Sequence, residues 1–156
     1  MSDLHSLVGL KRYGIWLISA LLVACGETYV SEEDAVRAWV TDAVAAAESK
    51  DRRELLGLIS ESYADARGND RDDINNLLRI YFLRQQKITI MTRVEQITLL
   101  GNTAAEVSLT AGMAGMNESV LGLTADAYKF EFELENDGEK WLLLGARWGG
   151  LGRELH

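Results

Sequence analysis

From Ser31 onward, apolar positions recur every three or four residues. Ala35, Val36, Trp39, Val40, Ala43, Val44 and Ala47 form one stripe, the spacing of an amphipathic helix. Ser31 followed by Glu32, Glu33 and Asp34 makes a variant capping box, with acids where the helix dipole favours them. Asp51 with Glu54 repeats the start signal ahead of Leu55, Leu56, Leu58 and Ile59, a short second helix. A polar loop runs from Ser60 to Asn69. Asp70 then caps a third helix, in which Ile74, Leu77, Leu78, Tyr81 and Phe82 share a face.

After Phe82 the period drops to two. Ile88 to Leu100 reads as a strand, Gly101-Asn102 as a turn, and Thr103 to Ala114 as the partner strand. A loop containing glycine and methionine covers about residues 115–123. Residues 125–135 alternate, with Tyr128, Phe130, Phe132 and Leu134 on one side and Lys129, Glu131, Glu133 and Glu135 on the other. Asn136-Asp137-Gly138 is a hairpin turn. Lys140 to Trp148 is the last strand, with Trp141 and Leu143 on one face and Leu142, Leu144 and Trp148 on the other. Three helices followed by a four-stranded antiparallel meander define an α+β domain over residues 31–149, with 150–156 as a loose tail. The helical stripes are expected to bury against the sheet face that carries Phe130 and Phe132.

Composition narrows the chemistry. At 156 residues the chain has room for one domain. Its formal charge is −8, from 24 acidic and 16 basic residues. Without residues 1–24, which carry Asp3, Lys11 and Arg12, 23 acids face 14 bases. Such a surface repels phosphate backbones, so no nucleic-acid partner is expected. His5 and His156 sit at the two extremes, which leaves no Ser-His or Cys-His pair inside the fold. There is no CxxC or HExxH spacing for zinc. Asp65, Asn69, Asp70, Asp72 and Asp73 crowd one loop, but counting from Asp65 as a calcium loop places Arg67 and Arg71 at ligand positions. Neither a metal nor a cofactor is expected.

The single cysteine, Cys25, has no second thiol to pair with. Lys11 and Arg12 precede a 12-residue apolar stretch, Tyr13 to Ala24. A membrane-spanning helix needs roughly 20 apolar residues, so this stretch reads as an export signal. Leu22-Val23-Ala24-Cys25 resembles the bacterial lipobox. That resemblance implies cleavage after Ala24, a lipid on the Cys25 thiol and acylation of the new amino terminus. Several acyl chains on one cysteine suffice for stable anchoring. Residues 1–24 are then a signal peptide and 25–30 a lipid-anchored tether. Gly26 stands where an aspartate commonly marks inner-membrane retention, which leans the expected location toward the outer membrane, on its periplasmic side.

The order of elements, with "ISESYADARGNDRDDINNLLRIYF" and the closing "NDGEKWLLLGARW", resembles the nuclear transport factor 2 superfamily, the SnoaL-like and ketosteroid-isomerase-like cone. It covers about Ser31 to Gly149. One departure is that many members carry a strand between the second and third helices, where only residues around Tyr63 are available here. The resemblance implies a pocket at the open end of the cone, to which Tyr81, Phe130 and Met116 would contribute. Members include isomerases, dehydratases and binding modules, so the fold does not select a function.

Asp126 is in phase with Tyr128 on the apolar side of its strand. A carboxylate in an apolar pocket has a raised pKa and serves as a general base. Tyr63, Tyr81 and Tyr128 offer phenols for an oxyanion hole or for ligand orientation. Asp126, Tyr128 and Tyr63 are therefore the catalytic candidates. The plainer alternative leaves Asp126 in solvent and the tyrosines as core residues, and the isomerases' full constellation does not map onto this chain. Met113, Met116, Val120, Leu121 and Leu123 bracket a loop able to adapt to a ligand or to close the core. The last strand, apolar on both faces, asks for cover from a neighbouring segment or from a second copy through the outer sheet face. Charged Lys129, Glu131 and Glu133 on that face argue against a dry interface. The sequence thus reads as an exported, lipid-anchored, non-catalytic binding or interaction module of unknown ligand. The alternative is an isomerase or hydro-lyase working in the cone.

Overall fold

The computed structural model describes residues 30–116 and 123–156, with side chains at 30–114 and 127–156. Helix α1 spans Glu32–Ser49, with Ser31 as its cap, accepting from the Asp34 amide. Helix α2 spans Arg52–Gly57 behind Asp51, and α3 spans Arg71–Arg84 behind a reciprocal Asp70/Asp73 capping box. Strands β1 (Lys87–Leu100), β2 (Ala104–Met116), β3 (Leu123–Asn136) and β4 (Trp141–Gly150) follow. They form one antiparallel sheet in the order β1-β2-β3-β4. No helix of the described residues is long and apolar enough to cross a membrane.

Register decides what the sheet shows to the helices. Val107 lies opposite Ile97 and Phe132, and Leu109 lies opposite Val94 and Phe130. Because strand side chains alternate, these rows share one face. Val36, Trp39 and Val40 of α1 pack onto that face with Val107, Leu109, Leu134 and Trp141. The Trp39 ring meets Phe132 edge-on at 5.8 Å, and its indole N–H donates to the Leu58 carbonyl at 3.2 Å. Burying each such side chain contributes about 1.5–3 kcal/mol.

Two bulges re-aim the sheet. One falls at Glu95, between Val94 and Gln96 in β1. The other falls in β4, where Leu134 pairs with Leu143 and Glu133 with Gly145, leaving Leu144 as the extra residue. An extra residue reverses the side-chain phase beyond it. Trp148, read by simple alternation as sharing a face with Leu142 and Leu144, therefore packs with Ile59, Tyr63 and Ala146 instead.

The outer edge of β4 is covered by the chain itself. Leu143 donates to the Leu58 carbonyl at 2.8 Å and accepts from the Ser60 amide at 2.9 Å. Ala64 and Ala66 donate to the Leu144 and Ala146 carbonyls, each at 3.1 Å. The segment around Tyr63 thus acts as a broken edge strand. Beyond it, the tail expected to hang loose turns at Gly150–Arg153, and Trp148 and His156 exchange backbone hydrogen bonds of 3.0 and 3.2 Å. Gly149 permits this approach, since a Cβ there would meet the Glu154 carbonyl oxygen at 2.5 Å.

Candidate functional site

Helix α3 departs from the expected packing. None of its residues is buried, and Leu77 and Tyr81 are 51% and 38% exposed. Polar ties at both ends hold it away from the sheet. Arg71, in its first turn, donates to the Leu56 carbonyl at 2.9 Å and the Ile59 carbonyl at 3.3 Å, and pairs with Glu61 at 3.0 Å. Arg52 donates to Asn75 across the α2–α3 contact. At the far end the Lys50 ammonium donates to the Gln85 carbonyl at 3.2 Å. The apolar stripe of α3 consequently faces the sheet across a gap.

That gap is an open cavity of about 490 Å³. Ile74, Leu77, Leu78, Tyr81 and Phe82 line it from α3, and Ile88, Ile90, Met113, Tyr128 and Phe130 from the sheet. Ala47, Arg67 and Trp148 complete the lining. Phe130 sits 6.2 Å from Tyr128 and 5.4 Å from Phe132, ring centre to ring centre, so the floor is a row of aromatics. The only charge in this lining, among the described residues, is the Arg67 guanidinium.

The loop that carries Arg67 is fixed by Asp65, which is buried. Its carboxylate accepts from the Arg67 amide at 2.9 Å, the Asn69 amide at 2.8 Å and the Asn69 side chain at 2.8 Å. Burial alone pushes this carboxyl up, but the Asn69 and Arg67 donors outweigh it and hold the carboxyl below its usual range. Tyr63, 4% exposed, turns its hydroxyl to Asp65 at 3.4 Å. Burial first, then the Asp65 charge and this hydrogen bond, push the Tyr63 phenol well above its ordinary value. Among the described residues no group of three or more His, Cys, Asp and Glu is placed to hold a metal ion.

The sequence candidates separate. Tyr81, Tyr128 and Phe130 line the cavity. Tyr63 does not, being packed with Ile59 and Ala146 and engaged with Asp65. Asp126 occupies the β3 position opposite Met113, and Met116 the β2 position opposite Leu123 and Lys87; the side chains of both lie outside those described. Cys25, Val120 and Leu121 lie outside the described residues. Arg67 and Trp148 were not anticipated in the lining. Arg67 lay hidden in a loop read for its acids, and Trp148 was assigned to the opposite face because a one-residue bulge leaves no mark in the hydrophobic pattern. On the outer face, a charged groove of about 330 Å³ runs over Glu106, Lys129, Glu133 and Arg147. Glu131 there pairs with Arg147 at 2.9 Å and Lys129 at 3.5 Å.

No protein-family model matches the sequence. No curated protein matches it either. Solved structures do. A protein of Novosphingobium aromaticivorans named as a scytalone dehydratase matches with a TM-score of 0.69 at 12% identity, over 80% of this chain and 90% of its own. A ketosteroid isomerase-like protein of Erwinia carotovora atroseptica gives 0.65 at 11%, over 79% and 98%. A protein of Streptomyces avermitilis named as a dehydratase of the nuclear transport factor 2-like family gives 0.66 at 12%, over 78% and 98%. At these identities the likeness establishes the fold. The chain has the α+β cone fold of these structures, with its helices on an open antiparallel sheet.

Proposed function

We propose that this protein binds an apolar small molecule in the cavity beneath α3, as a non-catalytic module. The observation that carries the reading is the cavity itself: about 490 Å³, open to solvent, and walled by aliphatic and aromatic side chains. Small-molecule sites are concavities of about 300–1,000 Å³ with few polar groups. An aliphatic ligand would also cover Leu77, which the fold leaves 51% exposed. Dodecanol, a neutral probe, is expected to bind saturably. Ala47→Leu, which adds bulk to the lining, is expected to weaken it. Absence of saturable calorimetric binding by dodecanol and by its carboxylate counterpart alike overturns the reading.

A second reading is favoured by one register fact. Asp126 lies opposite Met113 and two residues from Tyr128, both of which line the cavity. It makes the protein an isomerase or hydro-lyase, with Asp126 as base and Tyr128 as hydrogen-bond donor. Proteins sharing the fold are named for such reactions. Deuterium uptake at the α-carbon of an apolar ketone tests it: wild type accelerates uptake above buffer and Asp126→Asn does not. Equal rates in wild type and buffer leave the binding reading alone.

The proposal also places the domain on the periplasmic side of an outer membrane, tethered by lipid on Cys25. The lipobox-like Leu22-Val23-Ala24-Cys25 after a basic and apolar leader supports it. Mass spectrometry of the mature amino terminus checks this; a peptide running unmodified through Ala24-Cys25 contradicts it. A homodimer through the outer sheet face belongs to the same proposal. Leu142 lies opposite Glu135 in the sheet, and sizing the protein at two concentrations decides it.

A further inference from the structure

A cavity built only to be filled by apolar side chains needs no cation, yet solvent-exposed Arg67 lines this one. Its Cζ lies 4.4 Å from the centre of the Trp148 ring, and an Nη donates to the Trp148 carbonyl at 3.3 Å. Both side chains line the cavity. Stacking on an indole orients a guanidinium without using its in-plane N–H groups. The Trp148 carbonyl is the one acceptor this guanidinium has among the described residues. No described carboxylate lies within ion-pair distance of Arg67, as also for several arginines on the outer surface; what sets Arg67 apart is its place in the cavity lining.

The position of Arg67 is also imposed. Its amide is bound by Asp65, and Asp65 is locked in turn by Asn69. Ala66, the preceding residue, is hydrogen-bonded to Ala146 in β4. A loop fixed in this way presents a planar donor fork beside an apolar chamber. The chemistry complementary to it is an apolar body ending in a planar anion, since arginine binds carboxylates through paired N–H donors.

Resting on the reading of the cavity as a small-molecule site, we infer that the ligand is an apolar carboxylate. Its hydrocarbon part lies between α3 and the aromatic floor, and its carboxylate is held by Arg67. Tyr128, which also lines the cavity, is a further hydrogen-bonding group of the site. Arg67 is thereby the specificity-determining residue of the site.

Calorimetric titration of the full chain with dodecanoate and with dodecanol tests this, the first kept below its micellar concentration and the second below its solubility limit. At neutral pH dodecanoate is expected to bind about tenfold tighter, a difference of about 1.4 kcal/mol. Arg67→Gln is expected to bring the ratio of the two affinities close to one, and Arg67→Lys to keep part of it. In wild type the preference is expected to fade as pH drops below the ordinary carboxyl range, about 4 to 5, where the probe loses its charge. A purely structural Arg67 would change both affinities together and leave no such pH dependence. Equal affinities in wild type, or a preference that survives Arg67→Gln, overturn the inference while leaving the cavity reading in place. If neither probe binds, the cavity reading fails and this inference fails with it.

Discussion

Asp65 is 8% exposed, and the fold keeps it ionised through donors from Asn69 and Arg67. Its pKa is lower in the folded state, so its stabilisation is present above the unfolded carboxyl value of about 4 and disappears as pH falls through the folded value. Asp137, at the β3–β4 turn, is lowered by the Lys140 and Glu139 amides and acts in the same direction. Tyr63 is raised, so its contribution is complete below about pH 10 and disappears as pH climbs beyond it. A melting-temperature profile should therefore be a plateau that falls on both sides. Asp65→Asn is expected to cost about 2 kcal/mol at neutral pH, because two amides lose a charged acceptor, and to flatten the acid fall. An unchanged acid limb in that variant contradicts the assignment. The Asp70 cap was legible in sequence because its partner is three residues away. The Asp65 lock was not, since it depends on a loop closing and on Tyr63 packing against Ile59 and Ala146.

Among the elements, α3 carries the account. Its apolar face was plain from the spacing of Ile74 to Phe82, but spacing cannot tell a packed face from one held across a gap. Arg71 sets that gap by binding the Leu56 and Ile59 carbonyls. Arg71→Ala is expected to destabilise the fold by about 1–3 kcal/mol, leaving those carbonyls without their charged donor, and to weaken dodecanol binding beyond any change in stability. Denaturant unfolding with parallel titration measures both; unaltered binding separates α3 placement from Arg71. The bulge at Leu144 was likewise illegible. It adds one residue without altering apolar content, yet it turns Trp148 toward the cavity. Gly149→Ala tests the strand that follows. A Cβ there collides with the Glu154 carbonyl, so faster hydrogen exchange is expected at the Trp148 and His156 amides. Protection equal to wild type would mean that the returning segment adapts.

For the whole molecule, the four-strand order and the helical layer followed from periodicity and turn chemistry, which are local. The cavity did not, because its volume is a difference between where α1 packs and where α3 stands. Val36, Trp39 and Val40 close one part of the cone. The other part stays open beneath α3, where Trp148 lines the cavity. Trp39 and Trp141 are buried in the core and lie outside this lining, so contact quenching by a ligand seated beneath α3 is assigned to Trp148 among the described tryptophans. The most direct test titrates the protein with a bromine-bearing medium-chain alcohol and follows tryptophan fluorescence. Saturable quenching is expected, largely lost in Trp148→Phe and weakened in Ala47→Leu. Quenching that never saturates, or that persists undiminished in Trp148→Phe, would contradict a binding site beneath α3.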